Sequence, residues 1–142
     1  MTGSPAEAPA GADVWAERVG PRTYVGYSPR GAAVAIGPDL PDGFWPGELL
    51  KLALAGCAGM SSDEVIARRL GADYHVTIGA SGTKHSTEDR FTALEDHLVL
   101  DLSGLSAEDK ARLRKVVDLA IASACTIGHT LTHGAQVTTD IV

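Results

Sequence analysis

The stretch from Pro46 to about Leu70 most constrains what this chain can fold into. It is rich in Leu and Ala, has no proline after Pro46, and between Leu49 and Met60 carries one charge, Lys51. Proline suits a first helical position, where its missing N–H has no intrahelical partner anyway. A long central helix is therefore predicted, with Gly71 as its C-terminal stop. Its first half is apolar on nearly all sides, which in a water-soluble chain requires burial on more than one of them. A second copy of the chain is one candidate cover. The second half, Ser61 to Leu70, turns amphipathic.

The remaining segments arrange themselves around this helix. Residues 1 to about 12, rich in Ala, Pro, Gly and Ser, read as a disordered tail whose ordering burial cannot offset, leaving one domain over 13–142. Val14 to Arg18, Thr23 to Tyr27 and Ala32 to Ile36 carry β-type residues between Gly-Pro-Arg, Ser-Pro-Arg-Gly and Gly-Pro-Asp turns. They are expected as three antiparallel strands. After the helix, Tyr74 to Ser81 and Leu94 to Leu102 read as a hairpin, followed by a capping-box-like Ser106-Ala-Glu-Asp and apolar residues at helical spacing up to Cys125. Gly134 is expected to end helical structure and Ala135 to Val142 to close the fold as a strand. The expected class is α+β, in the order β-β-β-α-β-β-α-β.

Composition narrows the function. The net charge of −6, with 12 Lys and Arg spread along 142 residues, opposes nucleic-acid binding, which needs clustered cations on phosphates. No apolar run approaches the roughly 18 residues of a spanning helix, and the start lacks a basic region followed by an apolar one, so no membrane partner and a cytoplasmic location are expected. There thiols stay reduced, and disulfides tend to be transient and catalytic. No phosphate loop or nucleophile elbow appears, and no cofactor is expected.

The chain has two cysteines, Cys57 on the central helix and Cys125 at the end of the second helical run. A lone buried cysteine most often serves as a small hydrophobe. Two of them admit a redox reading, in which a thiolate attacks a peroxide and a second thiol resolves the product. Cys125, His129 and His133 repeat at four-residue spacing, but eight residues span more than two helical turns, too far for all three to reach one metal ion. His129 alone is placed to assist Cys125 or to be an ordinary satisfied histidine. A metal-binding role through Cys125 and His129 is the weakest of the readings.

Pro46-Gly-Glu-Leu-Leu leading to Ala55-Gly-Cys57, Ala124-Cys125-Thr-Ile with Thr130-Leu131 following, and the order of strands around them resemble the OsmC/Ohr family of thiol-dependent hydroperoxide reductases. The resemblance implies a two-layer α+β homodimer, intertwined, with the central helices buried at its core. It implies an organic hydroperoxide substrate, a Cys57 sulfenic acid resolved by Cys125, and an external dithiol or lipoylated-protein reductant. It also implies an N-terminal arginine beside the thiolate, held by a glutamate at the start of the central helix. The candidates are Arg22 first, then Arg18 or Arg30.

The glutamate departs from the best-characterised branch, where the acid stands ten residues before the cysteine, a position that is Gly47 here. Glu48 lies nine before, which puts it about 180° round the helix from Cys57 and about 13 Å along the axis. Glu48 therefore either faces the site of another subunit or favours the helix N-terminus as any first-turn acid does. Thr126 is a second departure, since the family commonly has proline there. Ala53, Ala55, Gly56, Ala58 and Gly59 allow close helix packing or room for a peroxide. The competing function is a non-enzymatic dimer of the same fold that binds a small apolar ligand or senses oxidation.

Overall fold

The computed structural model describes residues 5–142, so Met1 to Ser4 of the expected tail lie outside the described residues. Residues 5–13 carry no helix or strand. The chain divides into two compact units, Met1–Leu50 and Lys51–Val142.

In the first unit β1 (Trp15–Gly20), β2 (Thr23–Tyr27) and β3 (Ala33–Ile36) form an antiparallel sheet in sequential order. Trp15 pairs with Tyr27 across β1 and β2, their rings 5.8 Å apart, and Tyr24 pairs with Ile36 across β2 and β3. A bulge falls between Arg18 and Gly20, and the two-residue turn that follows holds Arg22 at φ 54. That left-handed conformation suits the third position of a turn whose second residue is proline, here Pro21, although glycine or asparagine usually occupies it. Thr23 Oγ1 donates to the Pro21 carbonyl across the turn.

The central helix α1 (Pro46–Leu70) has the predicted bounds. At its start Trp45 donates its N–H to Glu48 Oε2 at 2.8 Å, while the Trp45 carbonyl accepts from Glu48 and Leu49. This is one half of a capping box, and it satisfies backbone groups that the helix end leaves open. At the other end Gly71 adopts φ 99 and donates to the Ala67 carbonyl.

In the second unit Leu54, Ala55, Ala58, Ser62 and Ile66 form the buried stripe of α1. β4 (Val76–Lys84) and β5 (Phe91–Leu100) pair antiparallel, with Ile78 opposite Leu98 and Ala80 opposite Asp96. Gly59 lets α1 approach this sheet: a Cβ there would stand 2.8 Å from Ile78 Cδ1. The core joins Ile66 of α1 to Leu113 and Val117 of α2 (Ala107–Ala124), with Leu98, Leu100 and Tyr74 packed against them. Ser106 caps α2 as expected, its hydroxyl accepting from the Asp109 N–H at 3.1 Å.

Two expectations are corrected at the C-terminal end. The second helical run is two helices, because Cys125 at φ −80, ψ 95 is extended and separates α2 from α3 (Thr126–His133). Ala135–Val142 is not a strand among the described residues; its Val137, Ile141 and Val142 stand in solvent. β-type residues favour an extended chain, but a strand also needs a partner edge for its backbone groups, and the sheets of the described chain contain only β1 to β5. The architecture is thus α+β in the order β-β-β-α-β-β-α-α.

Candidate functional site

The break at Cys125 is what creates the site. Cys125 closes α2 by donating its N–H to the Ile121 carbonyl, and opens α3 by accepting the His129 N–H on its own carbonyl. Its sulfur accepts from the Gly128 N–H at 3.4 Å, so the thiol itself is the cap of α3. Gly128 makes room for this, since a Cβ there would lie 3.3 Å from the sulfur. The first N–H groups of α3 have no partners within the helix and carry its positive end.

Cys57, half-buried on α1, stands against that end. Its thiol is held below the ordinary value, first by the backbone N–H of Ile127. Partial burial opposes this, and the Cys125 thiol, the Thr126 N–H and the Ser61 hydroxyl add to the lowering. Cys125, only 1% exposed, behaves in the opposite way. Burial pushes its thiol up, the Gly128 N–H pulls against that, and the neighbouring Cys57 and then Asp96 push it further. The two thiols act on each other in opposite directions, Cys125 favouring ionisation of Cys57 and Cys57 opposing ionisation of Cys125.

The structure thus brings Cys57 and Cys125 together as free thiols with unequal acidities. Glu48 is engaged with the Trp45 N–H at the start of α1, and Arg22 lies at the tip of the β1–β2 turn. His129 directs a ring nitrogen to the Ala122 carbonyl and His133 to the His129 carbonyl. Among the described residues no three His, Cys, Asp or Glu side chains gather as a metal site. Nor, among them, is any helix long and apolar enough to cross a membrane.

Four contributors were missed in the sequence: the N–H groups of Thr126 and Ile127, Gly128, and Asp96. Backbone donors leave no residue-type signal, but Cys125-Thr-Ile-Gly128 has a capping side chain followed three residues later by the glycine that accommodates it. Asp96 does leave one, because it interrupts the inward series Leu94, Leu98, Leu100 on β5. It also borders an open groove of about 730 Å³ between β5 and α2, walled by Leu98, Leu113, Val117 and Ile121.

A mixed α+β fold with a mid-helix thiol beside a second thiol at a helix break defines a candidate site of two free cysteines with unequal acidities. The OsmC-like protein family matches residues 37–140, and the chain belongs to that family. It is 47% identical over 130 residues to an uncharacterized protein of Mycobacterium tuberculosis (strain ATCC 25618 / H37Rv), covering 91% of this chain and 95% of the relative. Its fold is similar to a crystal structure of a hypothetical protein from Aquifex aeolicus VF5, at 16% identity and TM-score 0.65 over 86% of this chain and 87% of that one. It is also similar to an OsmC-like protein of unknown function from Vibrio cholerae O1 biovar eltor, at 19% identity and TM-score 0.54 over 77% and 78% of the two chains.

Proposed function

We infer that the protein is a thiol-dependent peroxidase that reduces organic hydroperoxides to alcohols in the cytoplasm. The observation that carries this reading is the unequal thiol pair, Cys57 favoured as thiolate by the open end of α3 and Cys125 kept as a thiol beside it. The Cys57 thiolate attacks the terminal peroxide oxygen, the O–O bond breaks, and the departing alkoxide takes a proton to become the alcohol. Cys57 is then a sulfenic acid. The Cys125 sulfur bonds to the Cys57 sulfur, water leaves with the sulfenic oxygen, and a disulfide forms. An external dithiol or lipoylated protein returns both thiols. Alkyl or lipid-like peroxides suit the apolar residues around Cys57 better than hydrogen peroxide does.

Arg22 belongs to the proposal as the cation that supports the thiolate, and Glu48 as the acid that orients it at the site of the other subunit. An intertwined homodimer is also part of it, because Leu52 and Met60 on α1, Leu119 on α2 and Val137, Ile141 and Val142 at the C-terminus are exposed in the single chain. Large exposed apolar groups of this number point to a protein surface that covers them.

Stopped-flow oxidation of the reduced protein by cumene hydroperoxide and by hydrogen peroxide, followed by a count of free thiols, tests the reading. Fast loss of two thiols with a preference for the organic peroxide, absent in Cys57→Ser, is expected. Slow and unselective oxidation in both proteins would leave a ligand-binding dimer as the better account, and oxidation without turnover by a dithiol would favour a redox sensor.

A further inference from the structure

Little besides the residue before it holds α3 in place. The helix runs for eight residues, Thr126–His133, and none of them is buried. A helix this short does not keep its turns in water unaided, so its ends and its few tertiary contacts decide whether it forms. One tie is the His129 ring, turned to the Ala122 carbonyl of α2. Another is the Cys125 sulfur, which accepts the Gly128 N–H at 3.4 Å as the helix cap. The fit there is close, because a Cβ at position 128 would lie 3.3 Å from that sulfur.

That sulfur has two uses that exclude each other. In the reduced protein it caps α3, and Cys125 is only 1% exposed. In the disulfide step it bonds instead to the Cys57 sulfur on α1, while the sulfenic oxygen leaves in water. The Cys125 backbone is tied on both sides, its N–H donating to the Ile121 carbonyl and its own carbonyl accepting from the His129 N–H. The sulfur therefore reaches Cys57 by turning about the Cα–Cβ bond, and in turning it leaves the Gly128 N–H. The first turn of α3 then has an open donor that nothing within the helix can satisfy.

We propose that α3 is a redox-released flap, capped by the Cys125 thiol in the reduced protein and let go when that sulfur enters a disulfide with Cys57. The inference rests on the disulfide of the peroxidase reading and adds to it a route for the reductant. Exchange requires the thiolate of an external dithiol to reach a disulfide sulfur, so its rate depends on access. Loosening Thr126–His133 uncovers the buried side of the pair only when there is a disulfide to reduce. The two sulfurs of the dithiol end bonded to each other, and its two protons pass to Cys57 and Cys125. The Cys125 sulfur then accepts from Gly128 again, and the flap closes.

The experiment is amide hydrogen exchange in the full chain, read by NMR, for the reduced protein and after oxidation by diamide, an azo compound that takes two hydrogens from the thiol pair. Peptide mass spectrometry establishes whether the bridge has formed. In the bridged protein the amides of Gly128 to Leu131 are expected to exchange about fivefold faster, the scale of a lost helix cap, while those of Leu113 and Val117 in α2 keep their rates. Cys125→Ser, whose hydroxyl caps a helix but cannot form the bridge, is expected to hold the reduced rates with or without diamide. Should that variant not fold, Cys57→Ser serves as the unbridged control. A bridged protein with unchanged α3 rates, or one in which both helices loosen equally, overturns the flap and leaves the peroxidase reading standing. Failure of the bridge to form overturns both. Faster α3 exchange in a bridged protein that does not turn over cumene hydroperoxide would uphold the flap and sink only the peroxidase reading.

Discussion

The backbone N–H of Ile127, in the first turn of α3, is the largest influence lowering the pKa of Cys57, which stands on another helix. The activating positive end therefore belongs to α3 and not to α1, in whose middle Cys57 lies too far from either terminus to feel its own helix. Cys57 should consequently ionise first. Its alkylation by iodoacetamide, followed by peptide mass spectrometry across a pH series, is expected to show a midpoint below that of an ordinary thiol, with Cys125 reacting only above that range. The effects on stability have opposite signs. Cys57 is more acidic folded than unfolded, so its contribution is present above the ordinary thiol pKa and is lost as pH falls through the lowered folded value. Cys125 is less acidic folded, so its contribution is present below the ordinary thiol pKa and is lost as pH rises through the raised folded value. Equal midpoints for the two cysteines would contradict the arrangement.

Thr126 supplies a second, smaller N–H to Cys57, and it can be removed cleanly. Position 126 is the first residue of α3, where proline is tolerated, and Cys125 before it is already extended, as a residue preceding proline prefers. Thr126→Pro is expected to fold with stability within about 0.5 kcal/mol of wild type. It should raise the Cys57 midpoint by about half a pH unit or less, slowing alkylation below the midpoint up to roughly threefold. An unchanged midpoint would mean that this amide does not serve the thiolate.

Much of this was legible in the chain. Pro46 and Gly71 bounded α1, the alternating β-type segments bounded the strands to within a few residues, and Ser106 marked the start of α2. What the sequence hid was the break at Cys125. The apolar periodicity runs through it without proline, and the extended residue is stabilised by its own sulfur capping α3, a role that cysteine rarely signals. Missing the break meant looking only for a side-chain cation near Cys57, when backbone amides were also available. The expected final strand failed for a different reason: propensity describes Val137 to Val142 alone, whereas pairing depends on an edge elsewhere.

Arg22 tests the cationic part of the proposal because its backbone separates structure from chemistry. It holds φ 54, a conformation that costs a side-chain-bearing residue about 1–2 kcal/mol and glycine almost nothing. Arg22→Gly is therefore expected to raise unfolding stability by about 1 kcal/mol in urea while slowing Cys57 oxidation by cumene hydroperoxide about tenfold, the scale of a lost charge partner. A stabilised protein that reacts at the wild-type rate would remove Arg22 from the site and direct the search to Arg18 and Arg30.

Gly56 and Gly59, on either side of Cys57 and Ala58, make separable predictions about what covers α1. Alanine in place of a mid-helix glycine gains about 1 kcal/mol when nothing opposes the methyl group. At Gly59 the methyl would stand 2.8 Å from Ile78 Cδ1, so Ile78 must leave its rotamer, at a cost of about 0.5–1.5 kcal/mol. Gly59→Ala alone should thus leave stability near the wild-type value, while in an Ile78→Val background, which lacks that Cδ1 atom, it should recover about 1 kcal/mol. The four proteins of this cycle, unfolded in urea, give the coupling directly. At Gly56 a methyl would meet nothing within 4 Å in the single chain, so a lone chain predicts a gain of about 1 kcal/mol there. The proposed dimer instead lays a second helix over this face, and with it Gly56→Ala should weaken association in sedimentation equilibrium. A variant that is more stable and assembles as wild type does would place the dimer contact elsewhere.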